Sequence, residues 1–94
     1  MADVTYADAF AALRAECGEP TRECKTHASW DDGAGDGIVL YDDGRSVWIA
    51  AVRGPTDRRQ RAGWTVAGMA LPSHPLTPLA DAARDAGAWL RGRG

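Results

Sequence analysis

The sequence predicts a single α+β domain in the order helix, three-stranded antiparallel meander, helix (αβββα), with both helices on one sheet face. Three observations carry this: a capped apolar stripe early in the chain, two β-rich runs around an Asp-Gly dipeptide, and a second stripe at the far end. Its 94 residues read as one domain over 1–94, able to bury roughly 60–65% of the unfolded surface without help from a metal or a disulfide.

The first helix rests on Tyr6, Phe10, Leu13 and Cys17, which recur at i, i+4, i+7 and i+11 along one stripe. Thr5 and Asp8 form a capping box with Asp in place of Glu or Gln, and Gly18 suits the position after the last turn. The helix is therefore expected over Tyr6–Cys17. Residues 19–37 hold Pro20, Gly33, Gly35 and Gly37 without a sustained period. They read as a long irregular connection with room for a short extended piece around His27–Trp30.

Next come Ile38–Asp42 and Arg45–Arg53, flanking Asp43-Gly44, the dipeptide favoured in two-residue type I′ hairpins. The third strand is expected at Trp64–Leu71, after "GPTDRRQRAG". The last helix starts with Thr77 as N-cap and Pro78 at its first position, buries Leu79, Ala83, Ala86 and Leu90, and leaves 92–94 as a frayed tail.

A turn at Asp43-Gly44 sets Val39 opposite Trp48 and Leu40 opposite Val47. One sheet face then carries Ile38, Leu40, Val47, Ile49 and Ala51, extended by Thr65, Ala67, Met69 and Leu71, and suits the helices. The other carries Val39, Tyr41, Trp48, Ala50 and Val52, extended by Trp64, Val66 and Ala70, with Gly68 leaving room for the Trp48 ring. Two short Ala-rich helices cannot cover both faces, so the aromatic one needs another cover.

Charge narrows the function classes. With 11 Lys and Arg against 13 Asp and Glu, binding to nucleic acid through bulk charge is not expected and would need a local patch. The candidate patch is Arg53, Arg58, Arg59 and Arg61 in the loop before the third strand. In a meander, Asp31, Asp32 and Asp36 lie at the same end of the sheet and would neutralise it. The start "MADVTYADAFAALRAECG" lacks the basic head and apolar core of a secretory signal, and no run approaches the ~20 apolar residues of a membrane span. A cytoplasmic location with no membrane partner is expected, where Cys17 and Cys24 stay thiols.

The stretch "ECGEPTRECKTH" is the most chemical-looking of the chain. Structural zinc sites take four ligands, usually in pairs two to four residues apart, whereas six residues lie between Cys17 and Cys24, and a fourth ligand beside them and His27 would have to be His74 or an Asp. No metal and no cofactor is expected. A Cys17–Cys24 disulfide stays open beside the free-thiol reading. His27 is the one catalytic candidate, without an orienting third group in a motif.

The order helix, three strands, helix is similar to that of double-stranded-RNA-binding domains and of small toxin ribonucleases of the HicA type. "KTHASW" is similar to the placement of the toxins' histidine after the first helix, and "VAGMALPSHPL" to their strand-to-helix junction. The resemblance implies either RNA binding through the arginine loop or ribonuclease activity using His27. The leading expectation is different: a small non-catalytic accessory or regulatory protein acting by protein–protein contact. Its contact residues would be Tyr41, Trp48, Val52, Trp64 and Val66, on a partner protein or on a second copy in a homodimer.

Overall fold

The first helix, α1 (Tyr6–Cys17), begins where its free N–H groups find side-chain acceptors. The Asp8 N–H donates to Thr5 Oγ1 at 3.2 Å and the Thr5 N–H to Asp8 Oδ2 at 3.1 Å, which closes the capping box. It ends at Gly18, whose φ of 84° favours glycine and whose N–H donates to the Arg14 carbonyl at 2.9 Å. The computed structural model describes residues 4–31, 37–53, 59–70 and 72–91, without the side chains of residues 53 and 59–61. The expected tail, 92–94, lies outside the described residues.

Five strands follow where three were expected: β1 (Arg22–Glu23), β2 (His27–Asp31), β3 (Gly37–Asp42), β4 (Ser46–Arg53) and β5 (Arg59–Gly68). Each pairs antiparallel with its sequence neighbour, giving the order β1-β2-β3-β4-β5. The three-stranded layout and the irregular connection over 19–37 are both corrected, because β1 and β2 occupy that segment; the extended piece expected around His27–Trp30 is β2. Their hairpin closes with the Cys24 N–H on the His27 carbonyl at 2.6 Å, leaving Lys25-Thr26 as its tip. Neither residue is one of the Gly, Asn or Asp types that mark tight hairpins, and His, Ala and Ser are weak strand formers. The alternation in β2 is nonetheless clear in burial: Ala28 and Trp30 are buried, His27 and Ser29 half-buried.

The β3–β4 hairpin pairs Tyr41 with Trp48 and Asp42 with Val47. The Asp43 N–H donates to the Ser46 carbonyl, so the two tip residues are Gly44 and Arg45. Gly44 has φ 87°, and glycine at the first tip position is the type II′ pattern. Asp43 Oδ1 accepts the N–H groups of Arg45 and Ser46 at 2.9 and 2.8 Å, and Asp42 Oδ1 accepts that of Gly44 at 2.9 Å. These carboxylates draw the turn one residue beyond Asp43-Gly44. The pairing moves by two residues, and a period of two leaves every side chain on its expected face.

In β5 the expected register fails. Trp64 pairs with Ile49 and Thr65 with Trp48, across irregularities between Val47 and Trp48 and between Ala51 and Val52. Trp64 therefore shares the helix face and Thr65 the outer one, opposite to expectation; no tight turn fixes this register and the irregularities alter it. The strand ends at Gly68, where a Cβ would overlap the Arg45 carbonyl oxygen, so Gly68 makes room for the β3–β4 turn and not for Trp48. Met69 is 70% exposed, off the helix face where it was expected.

The second helix, α2 (Leu79–Leu90), has Pro78 as N-cap, correcting Thr77. Thr77 is committed elsewhere: its N–H donates to the Thr65 carbonyl at 2.8 Å and its hydroxyl to the Pro75 carbonyl at 2.9 Å. Both helices lie on one sheet face. Ala9 and Leu13 of α1 and Ala82, Ala83 and Ala86 of α2 share a buried cluster with Ile38, Leu40 and Ile49. Trp30 completes it, 5.7 Å ring to ring from Phe10, with its indole N–H donating to the Gly18 carbonyl at 2.7 Å.

Candidate interaction face

The opposite sheet face is open to neither helix, and alternation decides what it carries. His27 and Ser29 of β2, Val39 and Tyr41 of β3, and Trp48, Ala50 and Val52 of β4 point to it by the observed pairings. Three of these are directly opposed aromatics on successive strands. The His27 and Tyr41 rings meet edge-on at 5.9 Å, and those of Tyr41 and Trp48 stack at 5.2 Å and 17°. Such pairs contribute about 0.5–1.5 kcal/mol each beyond their buried area. Tyr41 remains 37% exposed at the centre of the row.

A fourth ring comes from outside the sheet. The segment after β5 folds back along its free edge: the Thr65 N–H donates to the Pro75 carbonyl at 3.0 Å, and Thr65 and Leu76 form a parallel bridge. The buried Thr65 hydroxyl adds a bond to the His74 carbonyl at 2.7 Å. This places the His74 ring edge-on to Trp48 at 5.1 Å and 69°. It fits only because residue 63 is glycine, since a Cβ there would lie 2.6 Å from His74 Nε2 and closer still to the ring carbon. His74 Nδ1 lies 2.8 Å from the Ser73 hydroxyl, while Nε2 is buried without a hydrogen-bond partner. Burial holds the imidazole below its ordinary pKa.

At the β1 side, Thr21, Arg22, His27, Ser29, Asp31 and Val39 line an open hollow of about 410 Å³. The face thus grades from polar at β1 and β2, through half-exposed aromatic rings, to a covered strip at β5.

Of the expected contact residues, Tyr41, Trp48 and Val52 share this face. Trp64 packs against the core on the helix side, and Val66 is buried in the core cluster beside the β5 irregularity. Arg53 and Arg59 pair across β4 and β5 as backbone, and Arg61 lies in β5. Arg58, like Asp32 and Asp36, lies outside the described residues, as do the side chains of the other three arginines. His27 sits on β2 against Tyr41, and two strands separate α1 from the three that were expected, so the double-stranded-RNA-binding and toxin layouts no longer match.

Cys17 and Cys24 are both free thiols. Cys24 is exposed, whereas burial, and then the Glu16 carboxylate, push the half-buried Cys17 thiol up to about 11, against a smaller opposite pull from Arg91. Among the described residues no three His, Cys, Asp or Glu side chains gather as metal ligands, and no helix is long and apolar enough to cross a membrane.

Sequence reading missed His74 and Thr65 as parts of this face. The available signal was Gly63, a strand glycine of the kind that marks close approach by another segment. Comparison of the chain with protein-family models, with curated proteins and with solved structures gives no match.

Proposed function

We propose that the chain is a small accessory or regulatory protein that acts without catalysis, by docking its outer sheet face onto a second copy of itself. The observation that carries this reading is the stacked Tyr41–Trp48 pair, with Tyr41 37% exposed, at the centre of a face neither helix covers. Tyrosine and tryptophan are the anchors enriched in interface hot spots, and Arg22, His27 and Ser29 supply the polar rim around them.

The sheet edges favour the face over strand addition. At one edge β1 is two residues long and charged on both, and at the other Thr65 of β5 is already bridged to Leu76. A two-fold pairing centred on Tyr41 would set aromatic centre on aromatic centre. A specific interface takes about 800 Å² from each partner, roughly one seventh of the 5563 Å² surface. The reading places the protein in the cytoplasm, consistent with two free thiols.

Sedimentation across a concentration series tests this. Wild type is expected to sediment as a dimer, and Trp48→Arg and Tyr41→Arg as monomers with unchanged far-ultraviolet circular dichroism. A wild type that stays monomeric at high concentration overturns self-association. Global unfolding of both variants would identify the face as intramolecular core.

A further inference from the structure

We propose that residues 72–77 form a proton-sensitive cover over the β5 strip of the outer face, held shut by neutral His74 and lifted when that imidazole takes up a proton. This concerns the cover alone and holds whatever docks on the rest of the face.

The geometry makes the closed state intolerant of a second ring proton. The imidazole lies over Gly63 with its Cδ2–Nε2 edge against the strand and its side against Trp48, and the residue is 4% exposed. A neutral ring can satisfy one nitrogen with the Ser73 hydroxyl at 2.8 Å and leave the other as a bare, uncharged atom. An imidazolium carries two N–H donors and a full charge. Nδ1–H can use Ser73, but Nε2–H meets no acceptor among the described residues, and the charge has been taken out of water. Lifting the cover lets solvent satisfy both.

The groups facing the ring are Trp48 from β4, Gly63 from β5, and Ser73 and the Thr65-bound carbonyl around its own segment; none is charged. Along the same face the titratable groups are Tyr41 and His27, farther down the aromatic row, Arg22 and Asp31 at the hollow on the β1 side, with Asp31 on β2 two strands away from Trp48, and Asp43 near the Trp48 indole. β5 also carries Arg59 and Arg61, whose side chains are outside the described residues. No described carboxylate therefore faces the imidazolium.

The sign follows from burial, which lowers the closed-state pKa of His74. The cover is fully stable above the open-state value, near 6.5 for an ordinary histidine, because there both states are neutral. As pH falls from there toward the lowered closed-state value, the open state binds the proton first and opening increases, by at most about tenfold per pH unit. Below the closed-state value the effect saturates.

The hinge bonds provide the readout. The Thr65 N–H donates to the Pro75 carbonyl and the Thr77 N–H to the Thr65 carbonyl, so both amides are released when the cover lifts. Amide hydrogen exchange of the intact chain, corrected for intrinsic pH dependence, should show Thr65 and Thr77 losing protection between pH 7.5 and 5 while Leu40 and Ile49 keep theirs. His74→Phe keeps a ring on Gly63 and removes the proton site, and should abolish that pH dependence. Gly63→Ala should unprotect Thr65 and Thr77 at pH 7.5 with the rest of the sheet unchanged. Protection in the wild type that does not change with pH overturns the proposal, as does a pH dependence that survives in His74→Phe. If His74→Phe does not fold, the wild-type titration together with Gly63→Ala decides: constant protection in the first, or full protection in the second, overturns it equally.

Discussion

The two faces of the sheet are built from the same five strands and solve opposite problems. The helix face is sealed: Leu13, Ile38, Leu40 and Ile49 are fully buried, and small residues on α2 let that helix lie close to the strands. The outer face is graded, with one ring almost wholly covered, one at 37% exposure and a polar hollow at its far side. Aliphatic side chains fill volume without direction, so they seal. Rings stacked across strands keep their geometry when half-exposed, so they leave an ordered surface. The difference teaches that the helix face holds the fold while the outer face keeps an ordered, partly exposed aromatic row.

Truncating the sealed face should break the comparison most severely. Trp30→Ala removes a buried indole and its 2.7 Å bond to the Gly18 carbonyl, and should cost about 3–5 kcal/mol in urea denaturation, with α1 loosened first. Thr65→Val comes next. It deletes the hydroxyl that satisfies the buried His74 carbonyl, and should cost about 1–3 kcal/mol or release the 72–77 segment, seen as lost protection of the Thr77 amide.

Tyr41→Ala sharpens the contrast from the other side. It should lower monomer stability by only about 0.5–1.5 kcal/mol while abolishing self-association, since the ring packs on its neighbours yet stands 37% exposed. The smallest effect belongs to the β3–β4 tip. Hydrogen bonds from the Arg45 and then the Ser46 N–H hold the Asp43 carboxyl below the ordinary carboxylate range. The tip is therefore tightest above about pH 3.9 and loosens as pH falls through the lowered value. Asp43→Ala should show faster exchange at the Arg45 and Ser46 amides at neutral pH, and Asp43→Asn should keep most of their protection.

Local chemistry was legible in the sequence where one segment settles its own structure. The Thr5–Asp8 box, Gly18 and the whole of α1 are decided within a dozen residues. The faces of β3 and β4 were legible because strand parity survives a two-residue change in pairing. β2 was legible only as the short extended piece around His27–Trp30 and β1 not at all, because their hairpin turns on Lys25-Thr26 and β2 turns just Ala28 and Trp30 inward. Trp64 was assigned to the wrong face because register irregularities are decided by packing between strands, which a single strand's pattern does not encode. His74 was hidden for a related reason. Its place depends on an absent side chain at residue 63 and a bridge to Thr65, both set by tertiary approach.

The meander order has a kinetic consequence. Every strand pairs with its neighbour in sequence, so the sheet can zip from one hairpin to the next with short loops to close at each step. The long reach is left to the helices: Arg91 Nη1, just past α2, donates to the Glu16 carbonyl near the end of α1 at 3.3 Å, across 75 residues. A sheet that forms early with both faces bare should therefore wait on helix docking. In that interval the apolar face destined for α1 and α2 is the one a second, unfinished chain could capture.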